Sequence, residues 1–362
     1  MNVTFIGSRG VPARYGGFET CVEQVGSRMV ARGHQVTVFC RRLHYTDHPA
    51  EYMGMRLLYG SAIPEKHLET ISHTALSALR LDRDSAIVCM GVGNAPIVRL
   101  LELGGRRSIL NVDGADWQRE KWSYLASRYL FACERMAAAT RGILVSDAEV
   151  VRRSYIERFG RDSELIPYGA DPPKDTGTST LEKFGLKPGS YALFVGRLVP
   201  ENGVHDILEG VRRAQLEIPL VVVGGASYSS EFIQHLHKVA PPRTVFTGYQ
   251  FGHHYQQLTH HAALFVFGAR VGGTHPVLVE QMAAGNCILA RDTESNREVL
   301  GETGLIWRSV YELADGLKSL SADCERRQAL GDASRARARQ LYDWDRVTDR
   351  YIDLCARTLV QR

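Results

Sequence analysis

No Cys-x-x-Cys pair occurs in the sequence, and the seven cysteines, an odd number, are scattered from Cys21 to Cys355. Several sit inside apolar runs, as Cys40 does in VTVFC. That pattern argues against a disulfide framework and for buried thiols in a reducing compartment. No stretch of 18 apolar residues is present, so no membrane-spanning helix is expected. The N-terminus opens on the strand-like NVTFI, with no basic stretch ahead of an apolar one. A signal peptide is therefore not expected, and a cytoplasmic location is. Charge of one sign is also scarce. The formal net charge is +4, too small for a nucleic-acid coat. It suits anionic small molecules or a passing contact with an anionic membrane face. What remains is ordinary for a globular protein: 44% hydrophobic and 23% charged residues. At roughly 150 residues per domain, 362 residues suggest two domains.

What is present is alternation. NVTFIG is followed by Phe18, Val22, Val25 and Met29 at helical spacing, with Gly33 as the stop. QVTVFC, MRLLY, SAIVCM, SILNV and GILVS follow as strand-like runs with helical stretches between most of them, the longest around 117–140. Runs apolar on both faces suit a parallel sheet covered by helices. The stretch 164–180, ELIPYGADPPKDTGTST, breaks the pattern and reads as a linker. The alternation restarts with YALFVG, PLVVVGG, TVFTG, ALFVFG, CILARD and GLIW. The expected fold is α/β, with two doubly wound Rossmann-like domains at 1–170 and 171–342, whose ligands bind at the carboxyl ends of the strands. The last stretch, 343–362, reads as one amphipathic helix with Tyr351, Leu354, Cys355 and Leu359 as its apolar stripe.

Three loops carry residues suited to phosphate and sugar chemistry. GSRGVPARYGGFE places Arg14, Gly16 and Gly17 ahead of a helix. Glycine lets backbone N–H groups approach a ligand, and the helix N-terminus favours an anion. The alternative is a plain tight turn. FVGRLVPENG puts Arg197 just past a strand end, where a guanidinium can pair with phosphate oxygens; a surface ion pair is the alternative. GARVGGTHPVLVEQMAAGN carries Arg270, then Gly273, Thr274 and His275, whose N–H groups would point at an anion ahead of Pro276 at the first helical position. Glu280, one turn on, can accept hydrogen bonds from sugar hydroxyls or merely complement the helix dipole.

Taken together, the chain resembles GT-B glycosyltransferases of family 4. The resemblance is carried in order by the Gly-Gly loop followed by RGHQVTVF, then LIPYGAD, VGRLVPENG, FTG and VEQMAAGNCILARDTESNREVLGETGLIW. GSRGVPARYGGFE, NVDGADWQREKW and VGGTHP are most similar to bacterial rhamnosyltransferases acting on cell-surface polysaccharide. The resemblance implies two domains facing across a cleft, with the final helix, after Trp344, crossing back to the first. It implies that Gly16, Gly17 and Arg197 lie against a donor diphosphate. The backbone of Gly273 to His275 would meet phosphates and the transferred sugar, Glu280 the ribose, and Tyr249 and Gln250 the base. It further implies a retaining, metal-independent transfer. The donor would be dTDP-L-rhamnose, the acceptor a saccharide on a lipid carrier or growing polysaccharide, and the place of work the cytoplasmic membrane face. No cofactor is expected beyond the donor.

Three positions depart from the family. The first glutamate of its Glu-x7-Glu motif falls at Gly272, the lysine five residues after the arginine at Asn202, and the N-terminal-domain histidine at or near Asp113. Arg14 or Arg270 is the expected substitute for the missing phosphate cation. Arg197 and two helix N-termini would stabilise charge on the departing diphosphate. Asp113 and Asp116 would orient the acceptor, or Asp113 would only hold its loop. Asp82/Asp84 and Asp343/Asp345 read as turn and cap chemistry rather than metal ligands. His254 and His261, seven apart on one helical face, are a weak metal candidate. The segment from Trp117 to Arg135, basic and aromatic, is either a lipid contact or a half-buried domain helix. The competing functions are a sugar-nucleotide epimerase, for which no acid/base pair stands out, and a noncatalytic nucleotide-sugar-binding protein. A nicotinamide dehydrogenase is disfavoured because QVTVFC does not end in an acidic residue.

Overall fold

The computed structural model describes residues 1–14, 16–65, 68–112, 124–225 and 230–360. The chain folds as two compact units, Met1–Tyr168 with Trp344–Arg362, and Gly169–Asp343.

The first unit holds eight strands: β1 (Asn2–Ile6), β2 (Gln35–Arg41), β3 (Glu51–Tyr52), β4 (Met55–Gly60), β5 (Ser85–Met90), β6 (Ile109–Asn111), β7 (Ile143–Ser146) and β8 (Glu164–Leu165). Their order is β3-β4-β2-β1-β5-β6-β7-β8. All neighbours are parallel except the β3–β4 hairpin, turned by Met53 and Gly54, both at positive φ. β1 pairs with both β2 and β5, so the winding direction reverses beside it. Both faces of the sheet are covered, which is why the strands read as unbroken apolar runs. In β5, Ala86, Val88 and Met90 enter one core while Ile87 and Cys89 enter the other. The first core also takes Val22, Val25 and Met29 of the helix Gly17–Ala31, and Trp344, Val347, Tyr351 and Leu354 of the final helix Trp344–Val360. That final helix is tied to the first unit by a hydrogen bond from Asn111 Nδ2 to Tyr351 Oη (2.9 Å) and by Arg32 pairing with Asp345 and Asp349.

The second unit holds six parallel strands: β9 (Ala192–Val195), β10 (Leu220–Val223), β11 (Thr244–Gly248), β12 (Leu264–Phe267), β13 (Ile288–Arg291) and β14 (Leu305–Trp307), in the order β11-β10-β9-β12-β13-β14. The reversal here lies between β9 and β12. The same alternation recurs: Phe265 and Phe267 enter one core, Leu264 and Val266 the other.

One expectation needs correction. The stretch 164–180 is not all linker, because Glu164–Leu165 pairs with β7 at the sheet edge and Ser179 already starts a short helix. Two residues of edge strand leave too short an apolar signal to stand out from a Pro- and Gly-rich neighbourhood. The histidines in and just after Gly252–His260, a weak metal candidate from the sequence, meet the segment 174–180. His254 shares a hydrogen bond with Thr180 (2.8 Å) and His261 donates to Thr176 O (2.9 Å). Gln256 and Gln257 accept from the backbone N–H groups of Lys174, Asp175 and Thr180. This helix therefore clamps the segment 174–180.

Candidate active site

The reversal points β1/β5 and β9/β12 are where doubly wound sheets open a crevice at their strand ends. The loops after β1, β9 and β12 carry most of the residues singled out from the sequence.

After β1, the bend is made by Gly7 (φ +92°) and Gly10 (φ +112°), not by the Gly-Gly pair. A Cβ on Gly10 would lie 2.5 Å from Cys40 Sγ, and one on Gly7 2.4 Å from Met90 O. Gly16 is extended (φ −164°), caps the helix Gly17–Ala31, and is exposed, with room for a Cβ in ordinary contact with Glu19 Oε2 at 3.5 Å. Its lack of a side chain leaves room rather than permitting a turn. Two carboxylates from the first turns of the helix fasten the loop. Glu19 accepts from Arg9 N and Glu23 from Ala13 N, both at 2.8 Å. Burial raises the pKa of both, against the pull of those N–H groups. Arg14 is exposed and lines a cavity of about 170 Å³ with Arg9, Glu19, His44 and Tyr45. Behind it the buried Arg41, last residue of β2, bonds Gly7 O, Glu69 and Thr70 at 3.1 Å each. Glu69 also takes His44. Glu19 and Glu23 were legible as an i, i+4 pair just after the glycines, but their service to the loop was not.

After β9, Arg197 is half-buried and pairs with no carboxylate among the described residues. Its turn is rigid: Leu198 N donates to Gly225 O (3.0 Å) and Asn202 Nδ2 donates to Arg197 O (2.9 Å). Asn202 thus fastens the arginine's backbone where the family carries a lysine. After β11, Tyr249 packs on Gly225 and stacks with Phe251 at 6.0 Å, while Gln250 donates to Thr247 O (2.9 Å).

After β12, Arg270 donates to Asp206 (2.7 Å), which also holds Arg291 over the face of Trp307. The charge of Arg270 is therefore met inside the protein. Gly273 and Thr274 are buried and His275 caps the helix Pro276–Ala284 with Pro276 at its start. Glu280 lies in the second turn, so the first-turn dipole explanation does not hold for it. It accepts from Tyr255 Oη (2.6 Å), and Gln281 and Asn286 extend the network through Thr259. Burial raises the Glu280 pKa, with the Tyr255 hydrogen bond opposing. The Tyr255 hydrogen bond holds the carboxylate in place.

Asp113 and Asp116 lie in 113–123, outside the described residues, as does Tyr15. Asp345 pairs with Arg28 and Arg32, and the backbone carbonyl of Asp82 accepts from Ser85 N in a turn. No group of three His, Cys, Asp or Glu suited to a metal occurs among the described residues.

Two family models match the chain: a glycosyl transferase 4-like domain over residues 16–169 and glycosyl transferases group 1 over residues 189–323. The O-antigen chain mannosyltransferase C of Escherichia coli is 24% identical over 251 residues, 68% of this chain and 67% of that one. The phosphatidyl-myo-inositol mannosyltransferase of Mycobacterium tuberculosis is 26% identical over 363 residues, 92% of this chain and 90% of that one. Sucrose-phosphate synthase from Thermosynechococcus elongatus superimposes with a TM-score of 0.82 at 19% identity, covering 100% of both chains. Two parallel sheets with one reversal point each, matched half by half in this way, define a glycosyltransferase of the GT-B fold. Within that class the chain belongs to family 4.

Proposed function

We propose that the protein is a retaining, metal-independent glycosyltransferase that moves L-rhamnose from dTDP-L-rhamnose to a saccharide acceptor in cell-surface polysaccharide or glycolipid synthesis. The observation that carries the transfer chemistry is Arg197, a half-buried cation at a reversal point with no carboxylate partner among the described residues. In the reaction the bond from the sugar's C1 to the diphosphate oxygen breaks and the acceptor oxygen bonds C1 on the same face. The acceptor proton passes to a donor phosphate oxygen, so the protein need supply no strong base. Negative charge grows on the leaving diphosphate, and Arg197 with the N-terminus of Pro276–Ala284 stabilises it. Glu280 holds the ribose. Gly16 and Gly17 leave the diphosphate room, Tyr249 and Gln250 lie beside the base, and Asp113 and Asp116 orient the acceptor.

The rhamnose assignment rests on GSRGVPARYGGFE, NVDGADWQREKW and VGGTHP. Both relatives named above are mannosyltransferases, which favours GDP-mannose as the second reading. Work at a membrane face is supported by the helix Tyr124–Ala138, whose Tyr124, Arg128, Phe131 and Arg135 line an open groove. Aromatic rings with cations between them suit an anionic interface. No described helix is long and apolar enough to cross a membrane.

A thermal-shift panel with dTDP, UDP, GDP and their sugars, with and without magnesium, tests the reading. A ligand at 100 times its dissociation constant adds about 2.7 kcal/mol. A magnesium-independent shift led by dTDP and dTDP-rhamnose is expected, with an acceptor-dependent product. Preference for GDP-mannose overturns the rhamnose assignment. A product without acceptor indicates an epimerase, and binding without any product a noncatalytic protein.

A further inference from the structure

We propose that the imidazole of His275 meets the transferred sugar in the place where the family carries the first glutamate of Glu-x7-Glu. This rests on the donor-site reading above. The missing glutamate falls at Gly272, and Gly272 is not simply vacant. Its φ is +140°, where side chains are strained, and a Cβ built on it would lie 2.7 Å from His275 Cε1 and 2.8 Å from Nε2. The edge of the ring that bears Nε2 thus stands where a side chain at 272 would begin. A glutamate and this imidazole exclude one another.

The ring is set by the scaffold. It packs edge-on against Phe267, the last residue of β12, at 5.1 Å and 67°. The loop beneath is pinned from the helix Glu294–Leu300: Ser295 Oγ donates to Gly272 O (2.7 Å), and Asn296 Nδ2 to Arg291 O (2.9 Å). His275 is the N-cap of its helix but its side chain makes no capping hydrogen bond. The ring is therefore not placed by capping chemistry, and it stands half-buried at the reversal point of the sheet.

The exchange changes the chemistry. A carboxylate only accepts hydrogen bonds and carries a negative charge beside the leaving diphosphate. An imidazole offers a donor as well as an acceptor, and an aromatic face. It also accounts for the second departure. With Gly272 a negative charge is absent from the site, and with Asn202 a positive one is. The two omissions cancel, so the diphosphate meets a similar net field with fewer charges. Restoring only one of them would unbalance it.

The test compares His275→Ala and His275→Asn with the wild type by calorimetry, using the nucleoside diphosphate and its sugar that the wild type prefers, together with turnover. Affinity for the free diphosphate should stay within about twofold in both variants. Affinity for the nucleotide sugar and turnover should fall about tenfold in His275→Ala, the size of one lost polar contact, and recover in part in His275→Asn. Melting temperatures of the ligand-free variants control for folding. Equal losses for the diphosphate and its sugar, or no loss for either, would overturn the assignment while leaving the donor site intact. A wild type that binds no nucleotide would remove the donor site and this inference with it.

Discussion

After β1, the buried charged groups beside the loop are met within the protein, while Arg14 stands exposed at its cavity: Glu19 and Glu23 hold backbone N–H groups, and the buried Arg41 is met by Glu69. After β9, the opposite holds. The turn is held by an amide, Asn202, and by backbone alone, while the Arg197 guanidinium has no carboxylate partner among the described residues. The strands on which the two loops sit are alike: short, parallel, buried on both faces and beside a reversal of winding. The difference shows how one architecture divides labour. Where charges are satisfied internally the loop is a scaffold. Where a cation is held by its backbone and left unmet, the loop is arranged for an anionic ligand.

The sharpest way to break this contrast is to compare two arginines of the second unit. Arg197→Ala should lower kcat/KM by about 10²–10³, the usual loss when one transition-state charge donor is removed. Arg270→Ala should cost less than about threefold, since Asp206 already meets its charge and a partly exposed ion pair contributes little. Equal losses in steady-state assays would mean that the Asp206 pair opens to reach the substrate.

The next effect separates the two kinds of glycine in the first unit. Gly10→Ala should destabilise by about 2–4 kcal/mol in urea denaturation, because strain at φ +112° adds to a clash with Cys40. Gly16→Ala, extended, exposed and free of any clash, should change stability by no more than about 0.5 kcal/mol while weakening donor binding. A Gly16 effect on stability equal to that of Gly10 would make the Gly-Gly pair structural.

The smallest effect is confined to acid. The His44 hydrogen bond, and then Arg41, hold the Glu69 carboxyl at about 2, below its ordinary value of 4.5. Its stabilising contribution is complete above pH 4.5 and is lost as pH falls from there towards 2. Glu69→Gln should flatten the fall of stability across that window, being about 1–2 kcal/mol less stable than the wild type in urea denaturation above pH 4.5 and level with it near pH 2. An unchanged slope would show that this scaffold contributes nothing to stability.

Much of this was legible one residue at a time. The runs SAIVCM and PLVVVGG became central strands, and Tyr351, Leu354 and Cys355 are the buried stripe of the final helix. Phe18, Val22, Val25 and Met29 lie on one helix that ends just before Gly33. What was not legible concerns residues whose meaning depends on where a partner side chain lies in space. Arg270 looked like a spare cation until Asp206, 64 positions away, was placed beside it. His254 and His261 carried no clear role until the segment 174–180 lay against them. Gly272 looked like a lost side chain until the ring of His275 filled its space.

Local patterning therefore determined what depends on period and on neighbours along the chain: the strands, the helices and their buried faces, while the class of enzyme came from the resemblance that the motifs carry together. Hydrophobic burial is non-directional and needs only the right residue at the right spacing. Which charge is neutralised, which glycine is strained and which side chain reaches a vacant place were decided only by the tertiary structure. Those outcomes turn on separations of a few ångströms between side chains, most of them far apart in the chain, and on the steep loss of hydrogen bonds and ion pairs beyond that range.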